Sequence, residues 1–160
     1  MRDSYYDVAQ VCLNGHVITS MAGDHPEYKR DRCDKCGATT ICNCQNCNEP
    51  IQGYYHSGVI GVFDYDPPRF CQKCGDPMPW IGSKLETANE IIDLMESLDD
   101  SEQSDLKQSV EELVRETTKI AIAKVKLKRY LKKVDSDISD SLSEVLDEIL
   151  SEEIRESIKK

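Results

Sequence analysis

From Leu85 onward, apolar residues return every three or four positions. Leu85, Ala88, Ile91, Ile92, Met95 and Leu98 fall on one face, and that 3.6-residue period predicts an amphipathic helix over about 83–98. Ser83-Lys-Leu-Glu86 reads as its capping box, with a hydroxyl and a carboxylate satisfying the first free amides. A polar break, Asp99 to Ser104, follows. Leu106, Val110, Leu113, Val114 and Thr117 then lead into Ile120, Ala123, Leu127, Tyr130, Leu131 and Val134, so a second helix is expected over about 105–134. The third, about 138–158, places Ile138, Leu142, Val145 and Ile149 on one seam and continues through Leu146, Leu150, Ile154 and Ile158 in steps of four. Its seam drifts around the helix. Such a helix needs cover on more than one side, which points to a bundle or a partner chain.

No comparable period runs through the first half. All eight Cys, three His, eight Gly and six Pro lie between Cys12 and Gly82, with nine of the ten aromatics also before Gly82. Glycine and proline punctuate turns and break helices, so this half should be loop-rich. The expected organisation is a small domain over 1–82 and an all-α tail or bundle over 83–160. The chain has 160 residues and a modest 39% hydrophobic content, which suits two small units better than one large core.

Charge is segmented in the same way. The chain carries a formal −10, yet residues 119–134 hold seven cations and no anion. The flanking segments 83–118 and 135–160 are net −8 and −6. An acidic protein is a poor general nucleic-acid binder, but Lys119, Lys124, Lys126, Lys128, Arg129, Lys132 and Lys133 make one basic amphipathic helix. It can bind phosphates, anionic lipid or an acidic partner; pairing with the neighbouring acidic helices is the preferred reading. The N-terminus lacks the features of a signal peptide and no stretch is long and apolar enough for a membrane span, so a cytoplasmic location is expected.

In a reducing compartment, cysteines in short pairs read as metal thiolates. Four half-sites stand out: Cys12-Leu-Asn-Gly-His16, Cys33-Asp-Lys-Cys36, Cys44-Gln-Asn-Cys47 and Cys71-Gln-Lys-Cys74. Two intervening residues let both sulfurs of a knuckle reach one tetrahedral ion. The residues that follow the knuckles, Gly37, Asn48 and Gly75, tolerate the left-handed backbone that such a turn requires. Seven Cys and His16 supply eight ligands, enough for two zinc ions. Sequential pairing gives Cys12, His16, Cys33 and Cys36 for one ion and Cys44, Cys47, Cys71 and Cys74 for the other. The half-sites are then separated by 16 and 23 residues. A cross-braced pairing uses the same eight ligands and stays open, because spacing does not fix topology.

Both proposed sites are closed by four protein ligands, which marks structural rather than catalytic zinc. No H-E-x-x-H or deaminase-type motif supplies a base. Cys42 is expected as a small buried side chain, and His25 and His56 as surface or packing residues. Tyr54, Tyr55, Phe63, Tyr65, Phe70 and Trp80 are expected to form the core beside the metals; a base-stacking surface is the competing reading.

The run C-x-N-G-H, then C-x-x-C-G, C-x-x-C, the Ile51–Tyr54 segment I-x-G-Y and the ending "FCQKCGDPMPW" resembles an uncharacterised bacterial family of small double-zinc-ribbon proteins. The resemblance covers residues 8–82 most specifically. It implies zinc binding through the ligands already named, and no activity.

The expected fold is thus a small zinc-stabilised β-rich domain of tandem zinc ribbons followed by helices. The expected function is a non-catalytic protein-interaction or adaptor module with a helical assembly tail, partnered by another protein or by its own copies. Nucleic-acid binding through the ribbons and the 119–134 helix is the alternative, and anionic membrane surfaces rank lower. No small-molecule substrate is evident.

Overall fold

The computed structural model describes residues 3–61 and 63–160. It divides into two compact units, Met1–Gly82 and Ser83–Lys160.

The first unit is small and loop-dominated, with five short strands: β1 (Tyr5–Val8), β2 (Gln10–Cys12), β3 (Val17–Thr19), β4 (Thr40–Ile41) and β5 (Gln52–His56). β1 and β5 form one antiparallel pair, with Tyr5 opposite His56 and Tyr6 opposite Tyr55. The other sheet has the order β3-β2-β4, so β2 lies in the middle. Ala9, Val11 and Cys12 are fully buried there. Gln10 is buried too, and its amide is answered on both sides: its Nε2 donates to the Arg30 carbonyl and Thr40 Oγ1, while its Oε1 accepts from Arg30 N at 2.8 Å. A buried amide with all its groups paired avoids the cost of lost hydration, so Gln10 pins the 30–40 loop to β2. With strands of two to five residues, the unit is less β-rich than the composition suggests. Its backbone is spent on turns around the cysteines.

Five helices follow: α1 (Pro79–Asp93), α2 (Asp100–Val114), α3 (Ile120–Leu131), α4 (Ser136–Ile149) and α5 (Glu152–Lys159). Their buried positions follow the expected stripes: Ala88, Ile92, Met95 and Leu98; Leu106, Val110, Leu113 and Val114; Ala123 and Leu127; Leu142, Leu146 and Ile149.

The helix boundaries depart from expectation at several points: α1 ends at Asp93 and not near 98, and α2 begins at Asp100, inside the expected polar break. The first helix starts at Pro79, not Ser83, because proline is well suited to a first turn where its missing N–H costs nothing. Ser83 and Glu86 are therefore interior. The capping box belongs instead to α2, where the Asp99 side chain accepts from Glu102 N and the Glu102 side chain accepts from Asp99 N. The expected 105–134 helix is two helices, because the chain turns at Glu116 with φ 52, a left-handed backbone that ends α2. The expected 138–158 helix is also two. Leu150 is extended, and Ser151 restarts the chain by accepting from Ile154 N. That break accounts for the drifting seam: Ile154 serves α5, a separate helix with its own buried face.

Two cations of the basic helix are paired within this unit. Lys126 meets Asp105 at 2.7 Å and Lys133 meets Glu102, while Tyr130 Oη donates to Asp105 at 2.6 Å. Lys126 and then Tyr130 hold the Asp105 carboxyl below its usual range, and the donated bond pushes the Tyr130 phenol up to about 12. Ile122 and Val125 remain exposed on the same helix. No helix among the described residues is long and apolar enough to cross a membrane.

Candidate metal centres

The three C-x-x-C knuckles are built alike. In each, the first cysteine's N–H donates to a carbonyl five residues on, and its carbonyl accepts from the residue four on: Cys33 with Ala38 and Gly37, Cys44 with Glu49 and Asn48, Cys71 with Asp76 and Gly75. The residue that completes each turn has positive φ, 72° at Gly37, 64° at Asn48 and 78° at Gly75. Antiparallel bridges close the three necks, at Arg32–Thr39, Asn43–Pro50 and Phe70–Pro77. The fourth half-site is a tighter version, with Cys12 N donating to the His16 carbonyl, Gly15 N to the Cys12 carbonyl, and Gly15 at φ 93°. Trp80 packs against that turn: a Cβ on Gly15 would lie 3.0 Å from Trp80 Cβ. The Trp80 indole is buried, and its Nε1 donates to the Pro68 carbonyl at 3.1 Å.

These turns bring the eight residues into two groups, Cys12-His16-Cys33-Cys36 and Cys44-Cys47-Cys71-Cys74, in each of which the ligand atoms lie within 4.8 Å of one another. The grouping is sequential, not cross-braced. Spacing within the groups can be tested against an ion. With bonds of about 2.3 Å to sulfur and about 2.05 Å to nitrogen, a tetrahedral centre separates two sulfurs by about 3.8 Å and a sulfur from a nitrogen by about 3.5 Å. In the first group Cys12 and Cys36 Sγ are 3.8 Å apart, and His16 Nδ1 stands 3.5 Å from Cys12 Sγ and 3.6 Å from Cys33 Sγ. In the second, Cys44–Cys74 measures 3.7 Å and Cys47–Cys71 3.5 Å. Both sets fit a tetrahedral metal ion, His16 through Nδ1. Thiolate-rich tetrahedral sets suit zinc or iron.

The knuckles also supply hydrogen bonds to sulfur. His16 N donates to Cys12 Sγ, Asn14 Nδ2 to Cys36 Sγ and Lys73 N to Cys71 Sγ, at 3.3–3.4 Å. The Ala38 amide and then the Asn14 carboxamide hold the Cys36 thiol down to about 6; the Cys74 and Lys73 amides do the same for Cys71. Donors aimed at a sulfur favour its ionised, metal-binding form, although at Cys12 burial outweighs them and pushes the thiol up.

The other candidates lie elsewhere. Cys42 is half-buried and outside both groups, its thiol pushed up by burial. His25 contacts Glu27 at 3.0 Å and stacks on Tyr28. His56 belongs to a cluster that sequence reading missed. Its Nε2 lies 3.1 Å from Asp7 Oδ2 and 3.5 Å from Asp24 Oδ2, and its ring stacks on Tyr5. Burial raises the Asp7 carboxyl, but His56 and the amides of Val8, Gly23 and Asp24 outweigh it, and the net shift is downward. The buried carboxylate ties β1 to β5 and to the 23–24 turn. With partners 17 and 49 residues away, the sequence offers no local signal for it.

Of the aromatics expected in the core, only Trp80 is fully buried; Tyr55 and Phe63 are exposed at 45% and 56%. The cysteine turns and the buried Gln10 amide occupy the interior instead of those rings.

No curated protein and no solved structure matches the chain. Residues 5–158 match the family described as an uncharacterized protein conserved in bacteria (DUF2321), a match that runs through the knuckles and the helices alike, and the chain belongs to that family.

Proposed function

We propose that this protein is a non-catalytic interaction module, in which two structural zinc ions fix tandem ribbons and the helices serve assembly or contact another protein. The observation that carries the reading is the pair of closed, sulfur-rich ligand sets at tetrahedral spacing. Four protein ligands leave no coordination position for water or substrate, and thiolates quench the Lewis acidity that hydrolytic zinc needs. Thiolate ligands require a reducing compartment, consistent with the cytoplasm.

Protein contact is favoured over nucleic acid because the basic helix already spends Lys126 and Lys133 on Asp105 and Glu102. The test combines metal analysis with light scattering and affinity capture of the full chain. Two zincs per chain are expected, with self-association or a captured protein partner. Two zincs in a strictly monomeric protein that captures nothing would refute the proposal. Salt-sensitive nucleic-acid binding, abolished by Lys126→Glu, Arg129→Glu and Lys133→Glu together, would replace it with the alternative.

A further inference from the structure

Three exposed aromatic side chains of the first unit line one groove. Tyr6, Tyr55 and Phe63 are 55%, 45% and 56% exposed. Scattered exposed residues need no explanation, but a contiguous patch usually marks a contact surface.

Here the patch is shaped. Tyr6, Tyr55, Phe63 and Tyr65 line a groove of about 550 Å³ together with Asp64 and Asp66. That volume falls within the range of ligand-binding clefts. Its floor is fixed by the sheet: Tyr6 and Tyr55 are cross-strand partners with ring centroids 4.7 Å apart. Tyr65 Oη donates to the Gln52 carbonyl at 2.5 Å, and burial pushes its phenol up to about 12, so it stays neutral at any physiological pH.

Charge decides what this groove takes. No Lys or Arg occurs in residues 3–8 or 52–66, the two segments that build most of it, while Asp64 and Asp66 sit among the rings. Phosphate would meet two carboxylates and no cation, which disfavours base stacking by these aromatics. A purely apolar ligand would leave both carboxylates to be desolvated without a partner. A guanidinium satisfies both features. It stacks flat on aromatic rings and donates paired hydrogen bonds to a carboxylate, whereas an ammonium offers only a point charge.

We infer that the groove formed by Tyr6, Tyr55, Phe63, Asp64 and Asp66 binds an arginine-bearing segment of a partner protein. This names the partner chemistry for the interaction module proposed above and rests on that reading.

The experiment titrates the full-length, metal-loaded chain with acetylated tetra-arginine amide at physiological ionic strength. Calorimetry gives the affinity, and backbone amide chemical shifts give the location. Shifts are expected at Tyr6, Tyr55 and the 63–66 segment, with tetra-lysine binding more weakly. Phe63→Ala and Tyr55→Ala should each weaken binding by about 2- to 30-fold, the span of one cation–π contact. The double variant Asp64→Asn/Asp66→Asn should weaken it at least as much. Asp137→Asn and Glu153→Gln, acidic changes in the helical unit, should leave it unchanged. All the substituted side chains are at the surface, and the amide spectrum and metal content of each variant verify its fold. Absence of binding, shifts confined to the acidic helices, or groove variants that bind as the wild type would each overturn the inference. A protein partner whose capture survives Tyr55→Ala and Asp64→Asn/Asp66→Asn would sink it too, while leaving the interaction reading standing; no partner and no self-association would sink that reading itself.

Discussion

His16 is the one nitrogen among the eight candidate ligands, and its replacement would separate the two candidate metal centres. His16→Ala removes the Nδ1 that stands 3.5 and 3.6 Å from two sulfurs and leaves Cys12, Cys33 and Cys36. Nothing nearby replaces it: Cys42 is outside the group, His25 is held by Glu27 and His56 by Asp7. A structural zinc site of four ligands is worth about 10–16 kcal/mol, so one ligand's share is about 2.5–4 kcal/mol. That share converts to a loss in affinity of about 10²–10³-fold. The net charge of the centre does not change, since imidazole is neutral, so the loss reports the missing bond rather than altered electrostatics. The assay is competition with a chromophoric chelator at neutral pH, counting ions released per chain. Wild type should give up both ions late. The variant should give up one early, and the Cys44-Cys47-Cys71-Cys74 ion within a few-fold of its wild-type affinity. Retention of both ions at wild-type affinity would refute the ligand assignment.

Other substitutions test the frame around the sites. Asp7→Ala strips a buried carboxylate from three amides and His56, and by chemical denaturation of the metal-loaded protein it should cost about 3–5 kcal/mol, in the range for breaking a buried charged network. Gly53→Ala would drive a Cβ into the Ser20 carbonyl and the Val8–Ala9 peptide; a loss of about 1–3 kcal/mol is expected in the same assay. Leu127→Ala, at a fully buried position of α3, should lower helical stability followed by far-ultraviolet circular dichroism by about 2–5 kcal/mol. Asp105→Asn should cost only about 0.5–1 kcal/mol at neutral pH, because its pairing with Lys126 is about a third exposed. The sign follows from its lowered pKa: the wild-type advantage is complete above the ordinary aspartate range and disappears as pH falls through the lower folded value.

The metal-ligand turns were legible because their chemistry is local. A C-x-x-C pair followed by Gly37, Asn48 or Gly75 carries its own backbone geometry, and those residues have positive φ in the structure. The helical stripes were legible for the same reason, being periodic. What escaped notice was either unpunctuated or distant. The breaks after Val114 and Ile149 contain neither Gly nor Pro; Glu116 adopts a left-handed backbone that its residue type does not announce, and the Leu150–Ser151 break depends on one serine cap. Ser83 and Glu86 matched a capping pattern, but Pro79 had already started the helix upstream. The Asp7–His56 tie and the exposed positions of Tyr55 and Phe63 depend on β1 meeting β5, a pairing across about fifty residues that no window of sequence contains.

That pairing also sets an order of assembly. The β3-β2-β4 sheet is closed by contacts within residues 10–41, whereas Tyr5 and Tyr6 must wait for Tyr55 and His56, which lie in the stretch between Cys47 and Cys71. Loop-closure entropy makes such distant contacts late ones. β1 can dock only once β5 is in place, on a segment flanked at both ends by the second cysteine group. Tyr6 and Tyr55 become neighbours only at that step. Until that pairing forms the aromatic groove is incomplete, and the recognition proposed for it would be confined to chains in which β1 has docked.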